Sequence, residues 1–413
     1  MALSSTLAFG RSPEEELLLY CARCHTTPQQ RERIRTLVEA KPNWDVLVPM
    51  AHRHGITPLF YWHLQKICAD AVPQNTLQHL RDHFHANAQW NLSLTAELIR
   101  ILNFFEEHGV PAIPYKGVVL ANSLYGNLAF REFNDLDILV HREDVLRAQS
   151  LLMSIGYRPE INLTRVQESA HMRTECEYNF RLDDARIRIE IHWEFVPRYF
   201  SVTFNHGTLW KNLAWTSVGG LPIRTLSPED LLLVLCVHGG KHLWSSLGWV
   251  CDVSELIRVH RTMDWYRVMD QSKRFGIKRM LHLGLCLAID LLQADIPQEV
   301  FDRVRSDSSI QLLVRAVREK LFYEHDLRNE TIERWNFQSA HLKMRERLRD
   351  RIRYCYRHLV ALNMRDWSVI SLPPVLFPLY YVIRPIRLTA KLVRRIGRHL
   401  LFDLKRIQRP QVE

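Results

Sequence analysis

Residues 135–140 carry a pattern, Asp135-Leu136-Asp137-Ile138-Leu139-Val140, in which acidic and aliphatic side chains alternate before the run becomes wholly apolar. A period of two predicts a half-buried β-strand. Because side chains two positions apart share a face of a strand, Asp135 and Asp137 are expected to point the same way. Two such carboxylates repel each other unless a positive charge lies between them, and their hard oxygen atoms suit Mg²⁺. The stretch therefore predicts a strand that holds Mg²⁺; the alternative is a solvated strand face or turn end.

A second short strand is predicted upstream, from Ile113 to Lys116, and it stops at Gly117. Residues 118–124 then show the spacing of a helix. A glycine turn that leads from a strand into a helix leaves backbone N–H groups aimed at an anion. A phosphate-binding turn beside a metal-binding Asp pair indicates phosphoryl or nucleotidyl chemistry. Lys116 is expected either to contact a phosphate or to pair with one of the aspartates.

These segments resemble the nucleotidyltransferase superfamily that includes DNA polymerase β, in which a glycine turn and a helix precede an Asp-x-Asp strand. More narrowly, the chain resembles a bacterial family of uncharacterised nucleotidyltransferases in Lys116-Gly117, Tyr125-Gly126, Arg131 and residues 134–140. The resemblance covers most of the chain. It implies an α+β fold, with a polymerase-β-like core built on a mixed sheet and flanked by N-terminal and C-terminal helical regions.

The resemblance also implies an activity, the transfer of a nucleoside monophosphate from an NTP to an acceptor, with Mg²⁺ and release of pyrophosphate. Asp135 and Asp137 would hold the metal, and Lys116, Gly117 and Arg131 would bind the nucleotide. The acceptor stays open among small molecules, peptides and proteins, and nucleic acid is not favoured. A net charge of +10 agrees with an anionic partner without identifying it.

Two departures from the superfamily pattern support an alternative hypothesis. Val118 stands where a Gly or Ser usually follows the turn glycine, and the spacing from Gly117 to the Asp pair is longer than in better-known members. The alternative is a nucleotide-binding or scaffold protein that keeps the fold and has lost turnover, in one version associated with a membrane.

A β-hairpin is predicted from two alternating segments, residues 175–182 and 186–193, with a turn at residues 183–185. In the second segment Arg188, Glu190 and His192 share a face. The superfamily usually takes a third carboxylate from a later strand, and the resemblance assigns this role to Glu190, with His192 beside it. A salt bridge between Glu190 and Arg188 is the structural alternative.

Residues 12–109 are predicted to form a helical layer that shields the sheet. Ser12 is expected to cap the first helix, and Thr26 or Thr27 the second. A long helix is predicted from Asn75 to about His108. Its apolar positions recur at helical spacing and include Leu92, Leu94, Leu98, Ile101 and Leu102.

A further helix is predicted to begin after Ser227 and to place His238, Lys241 and His242 on one face. Two histidines at this spacing suit zinc, but no third ligand with suitable spacing follows. Contacts of His238 and Lys241 with phosphate or substrate are favoured over zinc, and histidines satisfied within the core are the competing interpretation.

Eight cysteines at scattered spacings, without a leader peptide, predict reduced thiols and a cytoplasmic location. The run Cys21-Ala22-Arg23-Cys24-His25 matches the c-type haem attachment string. It lies at the end of a predicted helix, so helix-end cysteines are the favoured interpretation.

Four regions are expected: a helical layer at 1–90, the nucleotidyltransferase core at 91–220, a helical domain at 221–365 and a tail at 366–413. The uncharged run 367–383 contains three prolines and is too short to span a membrane. Residues 384–409 carry nine Lys or Arg and one acid, Asp403, with aliphatic residues at helical spacing. Docking of this basic amphipathic helix onto the helical domain is favoured over adsorption to an anionic membrane.

Overall fold

The computed structural model describes residues 12–182, 187–322, 339–362 and 366–390, apart from residues 368, 369 and 371. The chain begins with five helices, α1 Pro13–Cys21, α2 Pro28–Glu39, α3 Trp44–Arg53, α4 Thr57–Cys68 and α5 Gln74–Glu107. The Ser12 hydroxyl accepts a hydrogen bond from the Glu15 N–H at 3.1 Å, and Thr27 forms a capping box with Gln30. These two predicted caps are confirmed, because each hydroxyl satisfies a backbone donor that the helix leaves free.

The long helix α5 buries Leu94, Leu98, Ile101 and Phe105 along one face. The prediction was wrong for Leu92, whose side chain is 59% exposed. Two positions rotate a helix by about 200°, so Leu92 lies on the side opposite Leu94. The expected boundary at residue 90 falls inside this helix.

The Cys21-to-His25 string lies where α1 ends. Cys21 and Cys24 are free and buried, and the Cys24 backbone N–H donates to Glu255 Oε1 at 3.0 Å. The two thiols are therefore packed between the N-terminal and C-terminal helices, as expected of helix-end cysteines.

Five strands form one mixed sheet, β1 Ala112–Pro114, β2 Asp135–Val140, β3 Arg158–Pro159, β4 Glu177–Arg181 and β5 Arg188–His192. Their order is β1-β2-β5-β4-β3, with β2 and β5 parallel and the other neighbours antiparallel. The expectation of an α+β fold with a mixed sheet is confirmed. The expected turn at residues 183–185 lies outside the described residues.

Four helices and a hairpin complete this region, α6 Val118–Ser123, α7 Val145–Ser154, α8 Arg165–Thr174, α9 His206–Lys211, β6 Ala214–Val218 and β7 Leu221–Thr225. Helix α7 begins at Val145, after a 3₁₀ turn over Arg142–Asp144. Helix α8 and the hairpin were not predicted. Thr225 Oγ1 donates to the Pro114 carbonyl at 2.7 Å, which joins the hairpin to β1.

The two faces of the sheet have different roles. Leu136 and Ile138 of β2 and Ile189 and Ile191 of β5 point to one side, where they pack with α5 and α7 in a hydrophobic core. By the alternation of a strand, the intervening side chains point to the other side. The acidic residues of β2 and β5 therefore lie on the face that is turned away from α5.

In the described part of the chain after the hairpin, the helices with defined bounds are α10 Pro228–Lys241, α11 Leu247–Val259, α12 Trp265–Phe275, α13 Lys278–Leu292, α14 Gln298–Arg305, α15 Ser308–Phe322 and α16 Leu348–Val360. Ser227 caps α10 as predicted. A Cβ atom on Gly239 would lie 2.5 Å from the ring of the fully buried Trp244, so close packing requires glycine in the last turn of α10.

Residues 380–390 are helical and include the start of the expected basic helix. Arg384 is buried, pairs with Asp366 and donates to the Leu359 carbonyl. This first part is thus docked on α16, whereas residues 391–413 lie outside the described part. Among the described helices, none has the length and apolar character needed to cross a bilayer.

Candidate active site

The parallel pairing of β2 and β5 sets the positions of the acidic side chains. Asp137 lies directly opposite Glu190 in the register, and Asp135 lies one pleat further along β2. Paired residues of neighbouring strands share a face, so the three carboxylates meet on the face turned away from α5. The structure thus brings together Asp135, Asp137 and Glu190.

Gly117 forms the turn between β1 and α6. Its φ of +49° belongs to the region that favours glycine, and a Cβ atom there would lie 3.2 Å from the Asp135 carbonyl oxygen. Glycine therefore allows the turn to approach β2 closely. Val118 is 1% exposed and packs into the core beneath α5, so its side chain points away from the turn.

Lys116 pairs with one of the aspartates, which was one of its two expected roles. Its Nζ lies 2.5 Å from Asp137 Oδ1, with both side chains largely buried. Burial alone would raise the pKa of Asp137, but the Lys116 ammonium and His192 hold that pKa below its ordinary value. Asp137 is therefore an anion with two cationic neighbours.

Asp135 has a different environment. Within the part of the chain that the structure describes, its carboxylate makes no hydrogen bond or ion pair. Burial, together with the charges of Asp137 and Glu190, raises the pKa of Asp135 to about 7. Asp135 therefore lies in a buried environment that two neighbouring carboxylates make negative.

His192 lies at the centre of the carboxylates. Its Nε2 is 3.1 Å from Asp137 Oδ1 and 3.3 Å from Glu190 Oε2, and its Nδ1 is 3.4 Å from Glu177 Oε2. Burial alone would lower the pKa of His192, but the hydrogen bond to Asp137 and the neighbouring carboxylates raise it well above the ordinary value. The imidazole ring thus connects three strands, β2, β5 and β4.

The alternative partner of Glu190 is excluded by the position of Arg188. Its guanidinium donates to both carboxylate oxygens of Glu160, at 3.0 and 3.1 Å. The salt bridge from Arg188 to Glu190, which was the structural alternative, is therefore not formed. The Glu190 carboxylate instead lies 3.3 Å from His192 Nε2, and 20% of the Glu190 side chain is exposed.

Helix α10 covers the site with its last turns. His238, His242 and Trp249 form an aromatic group with ring centroids 4.8 to 5.3 Å apart. Burial, aided by the Lys116 charge, lowers the pKa of His238 well below its ordinary value, so this ring is neutral. Among the described residues, Lys241 Nζ has no ion-pair partner, and its charge acts on Glu177. Lys241 thus places a positive charge beside the acidic face.

Arg131 has a partner that the sequence did not indicate. It donates to Asp252 through Nε and Nη2, both at 2.8 Å, and Tyr125 Oη donates to the same carboxylate at 2.7 Å. The guanidinium is thereby engaged between the sheet and α11. The structure places Arg131 near the site, but directs it towards the helical region.

Among the described residues, two groups of three side chains have the composition of a metal site, Asp137 with Glu190 and His192, and Cys176 with Glu177 and His192. The ligand atoms within each group lie within 4.8 Å of one another. The first group contains two carboxylates, and Asp135 adds a further one on the same strand as Asp137. These hard oxygen donors suit a divalent cation. The residues present therefore fit Mg²⁺ or a similar ion.

Sequence reasoning did not identify Glu177 as a neighbour of His192, or Asp252 as the partner of Arg131. Glu177 lies on the alternating segment that was assigned to the hairpin, opposite His192. The register of the hairpin would have revealed it. Asp252 contacts Arg131 from 121 positions away, and no local pattern marks such a pair.

A model of a protein family described as an uncharacterised nucleotidyltransferase matches residues 40–293 of the chain. These residues include every strand of the sheet, the carboxylates and the last turns of α10. No curated protein matches the chain in sequence. The solution structure of the antibiotic-resistance factor ANT(2'')-Ia is similar in part, at 11% identity and a TM-score of 0.32, over 45% of this chain and 92% of that one.

Proposed function

The chain belongs to the family of uncharacterised nucleotidyltransferases, and we propose that it transfers a nucleoside monophosphate from an NTP to an acceptor with Mg²⁺ and release of pyrophosphate. The observation that carries this proposal is the meeting of Asp135, Asp137 and Glu190 on one face of adjacent parallel strands, next to the turn at Gly117. Transfer of this kind needs positioning and charge neutralisation more than covalent chemistry from the protein.

Asp135, Asp137 and Glu190 would hold the metal. A bound divalent cation would supply charge neutralisation for the phosphates and the attacking oxygen. The carboxylate of Asp135 supports this role, because no hydrogen bond or ion pair from the residues that the structure describes offsets its charge. Lys116, which neutralises Asp137 here, would be available to a phosphate oxygen once a cation takes over that charge.

The nucleotide side of the site would be formed by Lys116, Gly117, Lys241 and His238. Lys241 is the residue best placed for an anionic ligand, since its ammonium has no ion-pair partner in the described part of the chain. The neutral ring of His238 is suited to donate or accept a hydrogen bond. Arg131 would act indirectly, by fixing α11 against the core.

Glu190 is the side chain best suited to accept a proton from the acceptor. It is partly exposed, and it lies opposite Asp137 at the edge of the charged group. A hydroxyl acceptor, whether of a small molecule, a peptide or a protein, would lose its proton to this carboxylate as its oxygen attacks the α-phosphorus. Pyrophosphate would leave from the opposite side.

A thermal-shift panel tests the nucleotide half of this proposal. Each of the four NTPs is added with Mg²⁺, with EDTA or alone, and the melting temperature of the full chain is measured. We expect at least one NTP to raise the melting temperature only in the presence of Mg²⁺. Stabilisation by NTP that is the same in EDTA would contradict the metal-dependent site and favour a binding protein without turnover.

A further inference from the structure

The side chain of His192 has two carboxylate environments, one at each ring nitrogen. Nε2 faces Asp137 and Glu190 at 3.1 and 3.3 Å, and Nδ1 faces Glu177 at 3.4 Å. The residue is 2% exposed, and the Tyr115 ring packs edge-on against it with the ring centroids 5.5 Å apart. The tight enclosure leaves little freedom to the ring plane.

This arrangement matches the way proteins hold a metal-binding histidine. Such a histidine uses one ring nitrogen as ligand and directs the N–H of the other to a carboxylate, which fixes the tautomer and the ring orientation. Nδ1 makes no hydrogen bond among the described residues, but Glu177 Oε2 lies 3.4 Å from it, and Nε2 belongs to the group that contains Asp137 and Glu190. A purely structural histidine has no need of a carboxylate group on both sides.

We propose, resting on the metal site of the proposed function, that His192 Nε2 is itself a ligand of the metal ion, together with Asp137 and Glu190. Glu177 is then a positioning residue that holds the ring through Nδ1–H. The proton on Nε2 leaves for solvent when the ion binds, so that the lone pair of Nε2 forms the new bond. The site becomes a mixed oxygen and nitrogen site.

The mixed ligand set has a consequence for metal choice. Imidazole nitrogen suits transition metals, whereas Mg²⁺ prefers oxygen ligands alone. We therefore expect Mn²⁺ to bind more tightly than Mg²⁺, and this preference to shrink when His192 is replaced by Gln. In a competition experiment, Mg²⁺ displaces bound Mn²⁺, and the EPR signal of the free Mn²⁺ gives the ratio of the two affinities.

Pulsed EPR on Mn²⁺ tests the bond directly. The full-length protein is loaded with Mn²⁺ alone, without nucleotide and in a nitrogen-free buffer, and electron spin echo modulation is recorded. We expect modulation from a directly bound ¹⁴N nucleus. In protein labelled with ¹⁵N at histidine only, the ¹⁴N signal should be replaced by that of ¹⁵N, and this measurement requires no substitution in the site.

Three variants assign the nitrogen. His192→Gln should lose the nitrogen modulation, whereas His238→Gln, which alters the neighbouring ring on α10, should keep it. Glu177→Gln should keep the nitrogen modulation but weaken Mn²⁺ binding by about 10- to 100-fold, as is usual for a residue that orients a ligand. Loss of the signal in His238→Gln instead would overturn the assignment to His192.

The experiment separates this inference from the proposed function. Suppose that Mn²⁺ binds to the wild-type protein and not to Asp137→Asn, but shows no nitrogen modulation. This result would overturn the role of His192 while leaving the metal site intact. Absence of Mn²⁺ binding at millimolar concentration would contradict the metal site itself. If the ¹⁴N modulation persists in protein labelled with ¹⁵N at histidine, the bound nitrogen belongs to another ligand. This result would also overturn the inference.

Discussion

Arg131 and Asp252 form a buried bidentate ion pair that connects the sheet region to α11. Both hydrogen bonds measure 2.8 Å, and Tyr125 Oη adds a third contact to the carboxylate at 2.7 Å. Asp252 is 1% exposed. Because the pair is shielded from water, each charge depends on the other for compensation. The pair thus fixes α11 against the segment that precedes β2.

Replacing Asp252 by Ala should therefore destabilise the protein strongly, by about 3–5 kcal/mol, because it leaves the Arg131 charge buried without a partner. Urea denaturation measures the free energy of unfolding. The matched control is Asp270→Ala, which removes an exposed pair with Arg274 at 2.7 Å. That variant should lose less than about 1 kcal/mol. Equal losses in the two variants would contradict a structural role of the buried pair.

The Asp135→Asn substitution should remove metal-dependent nucleotide binding at little cost to stability. Asp135 has no hydrogen bond or ion pair among the described residues, and its charge is opposed by Asp137 and Glu190. In the wild-type protein, an NTP at a hundredfold excess over its Kd should stabilise by about 2.7 kcal/mol. The variant should show no Mg²⁺-dependent increase in Tm. A shift equal to that of the wild type would remove Asp135 from the site.

The same variant has a distinct pH signature in metal-free buffer. The pKa of Asp135 is about 7 in the folded protein, against 3.8 for a free side chain. Its contribution to the free energy of unfolding is therefore fully present below pH 3.8 and is lost as the pH rises through about 7. Relative to the wild type, Asp135→Asn should gain stability as the pH rises from 3.8 to about 7, with no further gain above that pH. Asp137→Asn should instead lose stability, because it leaves Lys116 and His192 without their shared anion.

Glu190→Gln should separate binding from chemistry. Because Asp135 and Asp137 remain to hold a metal ion, NTP binding should be largely retained. The amide accepts no proton, so pyrophosphate release should fall by about 10²- to 10⁴-fold. The measurement is the initial rate of pyrophosphate release with a panel of hydroxyl acceptors. The control is Glu160→Gln, which removes only the partner of Arg188. Full activity in Glu190→Gln would return Glu190 to a structural role.

Local patterns in the sequence were sufficient for the elements that build the site. The alternation at residues 135–140 and the caps at Ser12, Thr27 and Ser227 each depend on neighbouring residues, and the structure has them where they were expected. Period and capping are short-range properties, so they are visible in the sequence alone.

Register and long-range pairing were not visible. Arg181 lies opposite Arg188 in the hairpin, and a shift of one residue would place Glu177 opposite Ile191 and turn it to the other face. No sequence pattern fixed this register, so the contact of Glu177 with His192 went unnoticed. The pair of Arg131 with Asp252 likewise depends on the packing of α11 against the core.

His282 provides a prediction about acid stability away from the site. It is fully buried in α13, and in the described part of the chain neither ring nitrogen has a hydrogen-bond partner. Burial, aided by the charge of Lys278, lowers the pKa of His282 from 6.5 to about 4. The unfolded chain therefore takes up a proton first as the pH falls, so the stability contributed above pH 6.5 is lost on the way to pH 4.

Replacing His282 by Gln removes this titration. Relative to the wild type, the variant should become more stable by about 1.4 kcal/mol for each pH unit below 6.5, up to about 3 kcal/mol. Urea denaturation at pH 7.5, 6.5, 5.5 and 4.5 measures the difference. His25→Gln, at an exposed histidine, serves as the control and should show no such trend. Parallel pH profiles for the wild type and His282→Gln would show that His282 is protonated in the folded protein. The prediction that this buried ring stays neutral would then be wrong.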